Sequence, residues 1–214
     1  MNLINNNQDV ALAQFHYYEQ FSGQKKAIVL LHGTGGDEHD LLPLVSPFSE
    51  DFAVVSLRGN VEENGMSRFF KRTSFGVFDE ENIKEEAKKL KSFVNTWAKV
   101  HEINLEDVNF VGFSNGANMI LALSFLYPTV VFHAALLHPM VALKPAQKIE
   151  LNHAHFFVSW SPLDQMISEQ QSQEVLQTLR NCNAKITESH TQGGHGLTQE
   201  EVIDLHTYIK LQRD

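Results

Sequence analysis

The chain has 214 residues, a formal net charge of −9, and 43% hydrophobic residues. This size and composition predict one substantial hydrophobic core and a single domain spanning residues 1–214. The negative charge argues against partners such as nucleic acids and anionic membrane surfaces, which would repel it, and the candidate basic patch at residues 68–72 is short.

Three further classes of protein are disfavoured. No apolar run approaches the roughly 18 residues that a membrane helix needs. The first residues show neither the basic start nor the apolar stretch of an export signal, so we expect a cytoplasmic protein that does not act at a membrane. The single cysteine, Cys182, excludes an internal disulfide framework and is interpreted as an incidental thiol.

Strand patterns alternate with helix patterns along the chain. Continuous apolar or alternating stretches predict strands at residues 14–19, 25–32, 52–57, 108–111, 130–137, 154–160 and 184–190. Helices are predicted at residues 40–45, 79–101, 117–127, 168–181 and 198–211, the last beginning with a capping box of Thr198 and Glu201. The alternation predicts an α/β fold with a mostly parallel sheet, helices on both faces, and ligands beyond the carboxyl ends of the strands.

Residues 61–78 show no clean period and are predicted to form a long loop. The segment carries many apolar side chains, namely Met66, Phe69, Phe70, Phe75 and Phe78. Loops of this length inside compact domains tend to be functional. Two interpretations stay open: these side chains plug the edge of the core, or some of them, with Met66, Phe69 and Phe70 as candidates, line a substrate cleft.

The most informative stretch is the sequence GFSNG at residues 112–116, between a predicted strand and a predicted helix. It fits a nucleophile elbow, in which the chain turns so tightly that a Cβ two residues before or after the serine would clash with neighbouring backbone. The turn exposes the hydroxyl of Ser114. The helix behind it points free N–H groups at any negative charge that develops there.

A glycine-rich loop, HGTGGD at residues 32–37, follows the second predicted strand. It matches neither a dinucleotide fingerprint nor a P-loop, because the last glycine and the GK[ST] ending are missing. Acyl transfer requires donors for the oxyanion of a tetrahedral intermediate, and the backbone N–H groups of Thr34 and Asn115 are the expected pair.

A serine nucleophile needs a base and an acid that orients the base. His195 is the predicted base, because glycines at 193, 194 and 196 leave room for its ring, and His190, inside a predicted strand, is the alternative. Asp164 is the predicted acid, because it lies in a loop after a strand, whereas the other acidic candidates lie in or before helices and strands. The histidines show no HxxxH or HExxH spacing, so no metal is expected.

With these residues placed, the chain resembles the phospholipase/carboxylesterase family of small α/β-hydrolases, which also includes the acyl-protein thioesterases. Segments such as LHGTGG at 31–36, RGN at 58–60, ENGM at 63–66, SNGAN at 114–118 and HPM at 138–140 resemble a bacterial subgroup of hydrolases induced by methylhydroquinone and other quinone stress. The resemblance implies Ser114 as nucleophile, Asp164 as acid, His195 as base, and Thr34 and Asn115 as oxyanion donors.

One segment departs from the family pattern. The family usually has a glycine shortly before the acid and a proline directly after it, whereas this chain has WSPLDQ at residues 160–165. We interpret this as an altered shape near the acid, with Trp160 as a residue that narrows or shields the site.

The sequence therefore predicts a serine hydrolase that cleaves small-molecule carboxylic esters through an acyl-enzyme, without a cofactor. Two alternatives stay open: a thioesterase or lysophospholipase that acts on longer acyl chains, and a hydrolase fold that serves as a ligand sensor without catalysis. The oligomeric state, a homodimer included, also stays open.

Overall fold

A seven-stranded sheet organises the protein in a computed structural model, which describes residues 10–74 and 76–213. Its strand order is β1-β3-β2-β8-β9-β10-β11; only the β1 and β3 pair is antiparallel, and all the other pairs are parallel. The strands are β1 (Tyr17–Gln20), β2 (Lys26–Leu31), β3 (Phe52–Leu57), β8 (Val108–Phe113), β9 (His133–Leu137), β10 (His155–Trp160) and β11 (Lys185–His190). The predicted, mostly parallel α/β-hydrolase sheet is confirmed.

Helices cover both faces of this sheet. They are α1 (Leu42–Val45), α2 (Glu80–Val100), α3 (Asn115–Leu126), α4 (Glu169–Asn181) and α5 (Gln199–Lys210). Alternate side chains of β2 enter two different hydrophobic clusters: Val29 belongs to the cluster that contains residues of α2, α3 and α4, whereas Ile28 belongs to the cluster that contains residues of α1 and α5. Because both faces of β2 are buried, this strand is apolar without interruption from Ala27 to Leu31.

Side-chain caps define where three helices begin. Asp79 accepts a hydrogen bond from the backbone N–H of Asn82 at the start of α2. Ser168 and Gln171 form a capping box at the start of α4. The capping box of Thr198 and Glu201 at the start of α5, predicted from the sequence, is confirmed.

The prediction of a loop over residues 61–78 is wrong. The described part of this segment forms two small hairpins, β4 (Val61–Glu63) with β5 (Met66–Arg68), and β6 (Arg72–Ser74) with β7 (Val77–Phe78). Strands of two or three residues are too short to show a period in the sequence. The Asn-Gly pair at residues 64 and 65 is the sequence signal of the first hairpin. In the structure both residues have positive φ, the conformation of an Asn-Gly hairpin turn. Phe75 lies outside the described residues.

Parallel strands bring the ends of distant segments to one edge of the sheet. The glycine-rich loop follows β2, and the elbow with Ser114 follows β8. The loop with Asp164, here called the acidic loop, follows β10, and the loop with His195 follows β11. Within residues 10–74 and 76–213, no helix has both the length and the apolar character to cross a bilayer.

Candidate active site

Ser114 lies in the tight turn between β8 and α3. Its backbone has φ 50° and ψ −110°, a conformation that non-glycine residues rarely adopt and that the surrounding structure must hold in place. Its backbone N–H donates to Leu137 O at 2.8 Å. A Cβ on Gly116 would lie 2.1 Å from Leu31 O, and a Cβ on Gly112 would lie 2.7 Å from the N atom of Ala117. The predicted need for glycine on both sides of Ser114 is therefore confirmed.

Three side chains form a continuous chain of hydrogen-bond contacts at the sheet edge. Nε2 of His195 lies 2.9 Å from Oγ of Ser114, and Nδ1 of His195 lies 2.8 Å from Oδ2 of Asp164. The carboxylate of Asp164 accepts a hydrogen bond from Nδ1 of His195. This leaves Nε2 of His195 free to receive the proton of the Ser114 hydroxyl. A serine nucleophile with a base and an orienting acid requires such a contact chain.

Backbone amides hold the carboxylate of Asp164 in place. Its Oδ1 accepts from the N–H of Met166 at 2.7 Å and from that of Ile167 at 3.0 Å. Burial would raise the pKa of Asp164, but hydrogen bonds from His195, Met166, His138 and Ile167 outweigh burial and lower it. The lowered pKa keeps Asp164 ionised at neutral pH.

Two residues of the segment that departs from the family pattern tie the acidic loop to the His195 loop. The hydroxyl of Ser161 donates to Gly193 O, and the side-chain amide of Gln165 lies against Gly194, where a Cβ would be 3.3 Å from its oxygen. The altered segment thus supports the loop that carries His195. Trp160 does not line the cavity beside Ser114; its ring N–H donates to Glu188 at 2.9 Å.

The alternative base, His190, is occupied elsewhere. Its ring stacks on Trp160 with 4.4 Å between the ring centroids, and its side chain does not line the cavity that contains Ser114 and His195. His195 is therefore the histidine that the fold brings to the elbow.

The two predicted oxyanion donors both line the cavity beside Ser114. Within the described part of the chain, no hydrogen-bond acceptor contacts the backbone N–H of Thr34 or that of Asn115. The side chains of these residues are used for support: Thr34 Oγ1 accepts from Arg68 at 2.6 Å, and Asn115 Oδ1 accepts from the N–H of Phe69 at 2.7 Å. The β4–β5 hairpin and the residues after it thus hold both amides in position.

A second buried histidine, His138, contacts the acid and was not predicted as a site residue. Its Nδ1 lies 2.7 Å from Oδ2 of Asp164, and its Nε2 lies 2.8 Å from Oε1 of Glu201, the capping residue of α5. The second contact is at ion-pair distance without the alignment of a hydrogen bond. Burial would lower the pKa of His138, but its contacts with Glu201 and Asp164 outweigh burial and raise the pKa. In the sequence, His138 ends a predicted strand and belongs to the HPM segment that resembles the quinone-stress subgroup, and neither feature indicates a contact with Asp164.

His138, Asp164 and His195 are close enough together to resemble a set of metal ligands. Their N···O distances of 2.7 and 2.8 Å are typical of hydrogen bonds. Two ligand atoms of a tetrahedral zinc ion lie farther apart, about 3.3 Å, since each is about 2.0–2.1 Å from the metal. The geometry of the cluster therefore fits proton-mediated contacts, and the absence of a metal stays a prediction.

A cavity of about 70 Å³ opens beside Ser114. Besides the residues named above, its wall includes Arg68, Arg72, Phe78, Met140, Met166 and Ile167. Met66, Phe69 and Phe70 do not line it, which corrects the expectation from the sequence: Phe69 and Phe70 are fully buried in the core, and Met66 lies against Gly35. Met66 lies beside the glycine-rich loop, the ring of Phe69 packs against that of His32, and the ring of Phe70 packs against that of Phe78.

A larger groove of about 650 Å³ lies next to this cavity, and Gly76 and Phe78 line both. Much of its wall is apolar, including Val77, Phe125, Leu126, Val141, Leu143 and Ile149. A substrate part that is longer than the small cavity accepts has room there.

Comparisons with known proteins agree with the fold and the class of chemistry. The sequence profile of the phospholipase/carboxylesterase family matches residues 18–213. The hydrolase MhqD of Bacillus subtilis (strain 168) is 38% identical over 195 residues, which cover 91% of this chain and 97% of MhqD.

Two solved structures share the fold at similar lengths. The Bacillus cereus carboxylesterase superposes with a TM-score of 0.89 and 34% identity, covering 97% of this chain and 100% of that one. YahD, solved with malic acid, gives a TM-score of 0.86 and 27% identity, covering 93% and 100%. The chain belongs to the phospholipase/carboxylesterase family and is a carboxylic ester hydrolase.

Proposed function

We propose that this single-domain esterase cleaves small carboxylic esters through an acyl-enzyme on Ser114. The observation that carries the proposal is the contact chain from Ser114 Oγ to His195 and from His195 to Asp164, at 2.9 and 2.8 Å. His195 takes the hydroxyl proton while Ser114 Oγ attacks the ester carbonyl, and returns it to the leaving alcohol. Water then attacks the acyl-enzyme by the same route and releases the acid.

The free amides of Thr34 and Asn115 stabilise the tetrahedral intermediate. A negative oxygen forms on the substrate carbonyl at each attack, and two backbone donors, one at the start of α3 and one in the glycine-rich loop, stabilise it. Loss of one such donor costs on the order of a hundredfold in rate.

The small volume of the cavity supports a short acyl group. About 70 Å³ accommodates only a few non-hydrogen atoms beside the reacting carbonyl. Carboxylic acids are the products of the reaction, and YahD was solved with a molecule of that class, malic acid. We propose esters of short acids as the substrate class.

The adjacent groove supports a second candidate, a thioesterase or lysophospholipase that acts on longer acyl chains. Its apolar wall would hold such a chain beyond Phe78. A series of 4-nitrophenyl esters from acetate to dodecanoate, with matching thioesters, separates the two candidates. We expect the highest kcat/KM for the shortest esters; a maximum at eight carbons or more would replace our proposal with the second candidate.

Labelling with a fluorophosphonate probe tests the catalytic assignment and the non-catalytic alternative together. We expect labelling and ester cleavage in the unaltered protein and neither in Ser114→Ala, with the two proteins equally folded by circular dichroism. Ser22→Ala, which changes an exposed serine before β2, at the opposite edge of the sheet, is the matched control. Substantial cleavage by Ser114→Ala would refute the assignment of Ser114, and a folded protein that neither labels nor cleaves would favour the sensor.

A further inference from the structure

Two arginines line the cavity beside Ser114. Arg68 and Arg72 share its wall with Ser114 and His195, and no aspartate or glutamate of the described residues lines it. The chain as a whole carries a formal net charge of −9. A positive cavity in an acidic protein attracts anions locally while the rest of the surface repels them.

The positive charge of this pair is only half neutralised. Glu63, in β4, is the one carboxylate within ion-pair distance of either residue among the described residues: its oxygens lie 3.3 Å from Nε of Arg68 and 2.8 Å from Nε of Arg72. Two guanidinium groups therefore share one carboxylate. Glu63 is not part of the cavity wall, so no carboxylate of the described residues balances the pair within the cavity.

Both arginines retain unused hydrogen-bond donors. Arg68 donates from Nε to Phe70 O and from Nη1 to Thr34 Oγ1, and Arg72 donates from Nε to Glu63. Within the part of the chain that the structure describes, neither Nη2 of Arg68 nor the two Nη atoms of Arg72 contact an acceptor. The two Nη atoms of Arg72 form a planar pair of donors that can bind a carboxylate, and Nη2 of Arg68 is a further single donor.

A purely structural role does not account for the second charge. Arg68 alone would pair with Glu63 and hold the glycine-rich loop through Thr34. The Arg68 side chain is only 5% exposed, and burial together with the charge of Arg72 lowers its pKa. An unbalanced charge in such a place is costly unless an anion joins it.

We propose that Arg68 and Arg72 bind a carboxylate carried by the ester substrate, a few bonds from the bond that is cleaved. This inference rests on the proposed function, because the same cavity holds Ser114. The substrate class is then the monoester of a short dicarboxylic acid, whose second carboxylate reaches the arginines while its ester carbonyl lies at Ser114. The cavity volume of about 70 Å³ limits the acid to a few carbons.

The test compares two esters of equal length that differ in one charge, phenyl butyrate and monophenyl succinate. The readout is the ratio of their kcat/KM values on one preparation, so a general loss of activity divides out. We expect the unaltered protein to favour monophenyl succinate by about tenfold or more, mainly through a lower KM, since charge-assisted hydrogen bonds to a carboxylate are strong. A second pair, phenyl acetate and 3-acetoxybenzoate, places the charge on the alcohol side, and we expect a smaller preference there.

Arg72→Gln is the principal variant, because Arg72 makes fewer supporting contacts than Arg68. In this variant Arg68 still anchors the glycine-rich loop. We expect the succinate preference to fall about tenfold in Arg72→Gln and to be partly retained in Arg72→Lys. Arg180→Gln removes an arginine that pairs with Glu188 away from the cavity and is the matched control, with an unchanged ratio.

Equal rates for the two esters in the unaltered protein would overturn the inference while leaving the proposed function intact. The same holds if Arg72→Gln lowers both rates equally, which is the signature of a structural role. If Ser114 is not labelled and the protein does not cleave esters, the proposed function fails. Calorimetry with succinate then tests by itself whether the two arginines bind a carboxylate. Binding that weakens about tenfold in Arg72→Gln supports the subsite, and equal or absent binding refutes it.

Discussion

Nδ1 of His138 lies 2.7 Å from Oδ2 of Asp164, the same oxygen that Nδ1 of His195 contacts at 2.8 Å. The carboxylate is thus held between two imidazoles, one of which faces Ser114 and the other Glu201. Both His138 and Asp164 have almost completely buried side chains, at 1% and 2% exposure. Contacts in such a place are strong because little water competes with them.

We expect His138 to act as a positioning residue for Asp164. Substitution His138→Gln keeps a side-chain N–H that can donate to Asp164, whereas His138→Leu removes it. The two backbone donors of Met166 and Ile167 remain in both variants. We therefore predict a loss in kcat of about tenfold for His138→Leu, the size expected for one hydrogen bond to a charged group, with a smaller loss for His138→Gln and little change in KM.

Steady-state kinetics on one short ester provide the measurement, and Glu201→Gln provides a comparison. Glu201 touches His138 but not Asp164, so its loss should have a smaller effect on kcat than His138→Leu. If His138→Leu changed only the free energy of unfolding and left kcat as in the unaltered protein, the contact with Asp164 would have no catalytic consequence.

The buried cluster also predicts how stability depends on pH. Folding raises the pKa of His138. The stability that the protonated ring contributes is therefore complete below the ordinary pKa of 6.5 and is lost as the pH rises through the raised value. Folding lowers the pKa values of Asp164 and Glu201, so their contributions are present above their ordinary values and are lost as the pH falls through the lowered ones. The groups that face His138 are Asp164, Glu201 and the rings of His195 and Phe113.

Urea unfolding at intervals from pH 5 to pH 9 measures this dependence. The difference in unfolding free energy between the unaltered protein and His138→Gln should be greatest at the acidic end and should shrink above pH 6.5, by at most about 1.4 kcal/mol per pH unit. A difference that stays constant or grows toward pH 9 would mean that His138 is neutral in the folded protein.

The sequence predicts the structure best where a local rule determines it. Continuous apolar strands, the capping box at Thr198, and the glycines around Ser114 each reflect a constraint within a few residues, and each was predicted correctly. The common edge of parallel strands then placed His195 and Asp164 near the elbow without any knowledge of contacts.

Long-range packing determined the features that the sequence did not reveal. Phe69 and Phe70 sit in a segment that looks like a loop, and only tertiary contacts show that they enter the core. The link between His138 and Glu201 joins the end of β9 to the start of α5, 63 positions apart in the printed chain. No periodicity or motif connects such positions. The sequence shows Arg68 in a short basic patch, whereas in the structure it is almost completely buried and lines the cavity beside Ser114.

A matched pair of glycine substitutions tests the packing of the elbow. A Cβ at Gly116 would lie 2.1 Å from the backbone oxygen of Leu31, and neither atom can move without shifting β2 or α3. We predict that Gly116→Ala lowers the free energy of unfolding by about 3 kcal/mol or more. Gly196 has no atom within 4 Å of a new Cβ among the described residues, so Gly196→Ala should change it by only about 0.5 kcal/mol. Equal denaturation midpoints for the two variants would contradict the close approach of α3 to β2.

His155 provides a prediction away from the active site. Its ring lies in β10, where Nε2 contacts Thr187 Oγ1 at 2.8 Å and the ring packs edge-on against Tyr208. Burial, followed by the charges of Lys185 and His133, lowers the pKa of His155 to about 4. NMR titration of the imidazole should therefore show a neutral ring at pH 5, where an exposed histidine is mostly protonated.

Because the pKa of His155 is lowered on folding, the stability that His155 contributes is complete above pH 6.5 and declines as the pH falls toward about 4. His155→Gln should flatten this acid-side decline in urea unfolding, and a midpoint near 6.5 in the NMR titration would show that the ring is open to water.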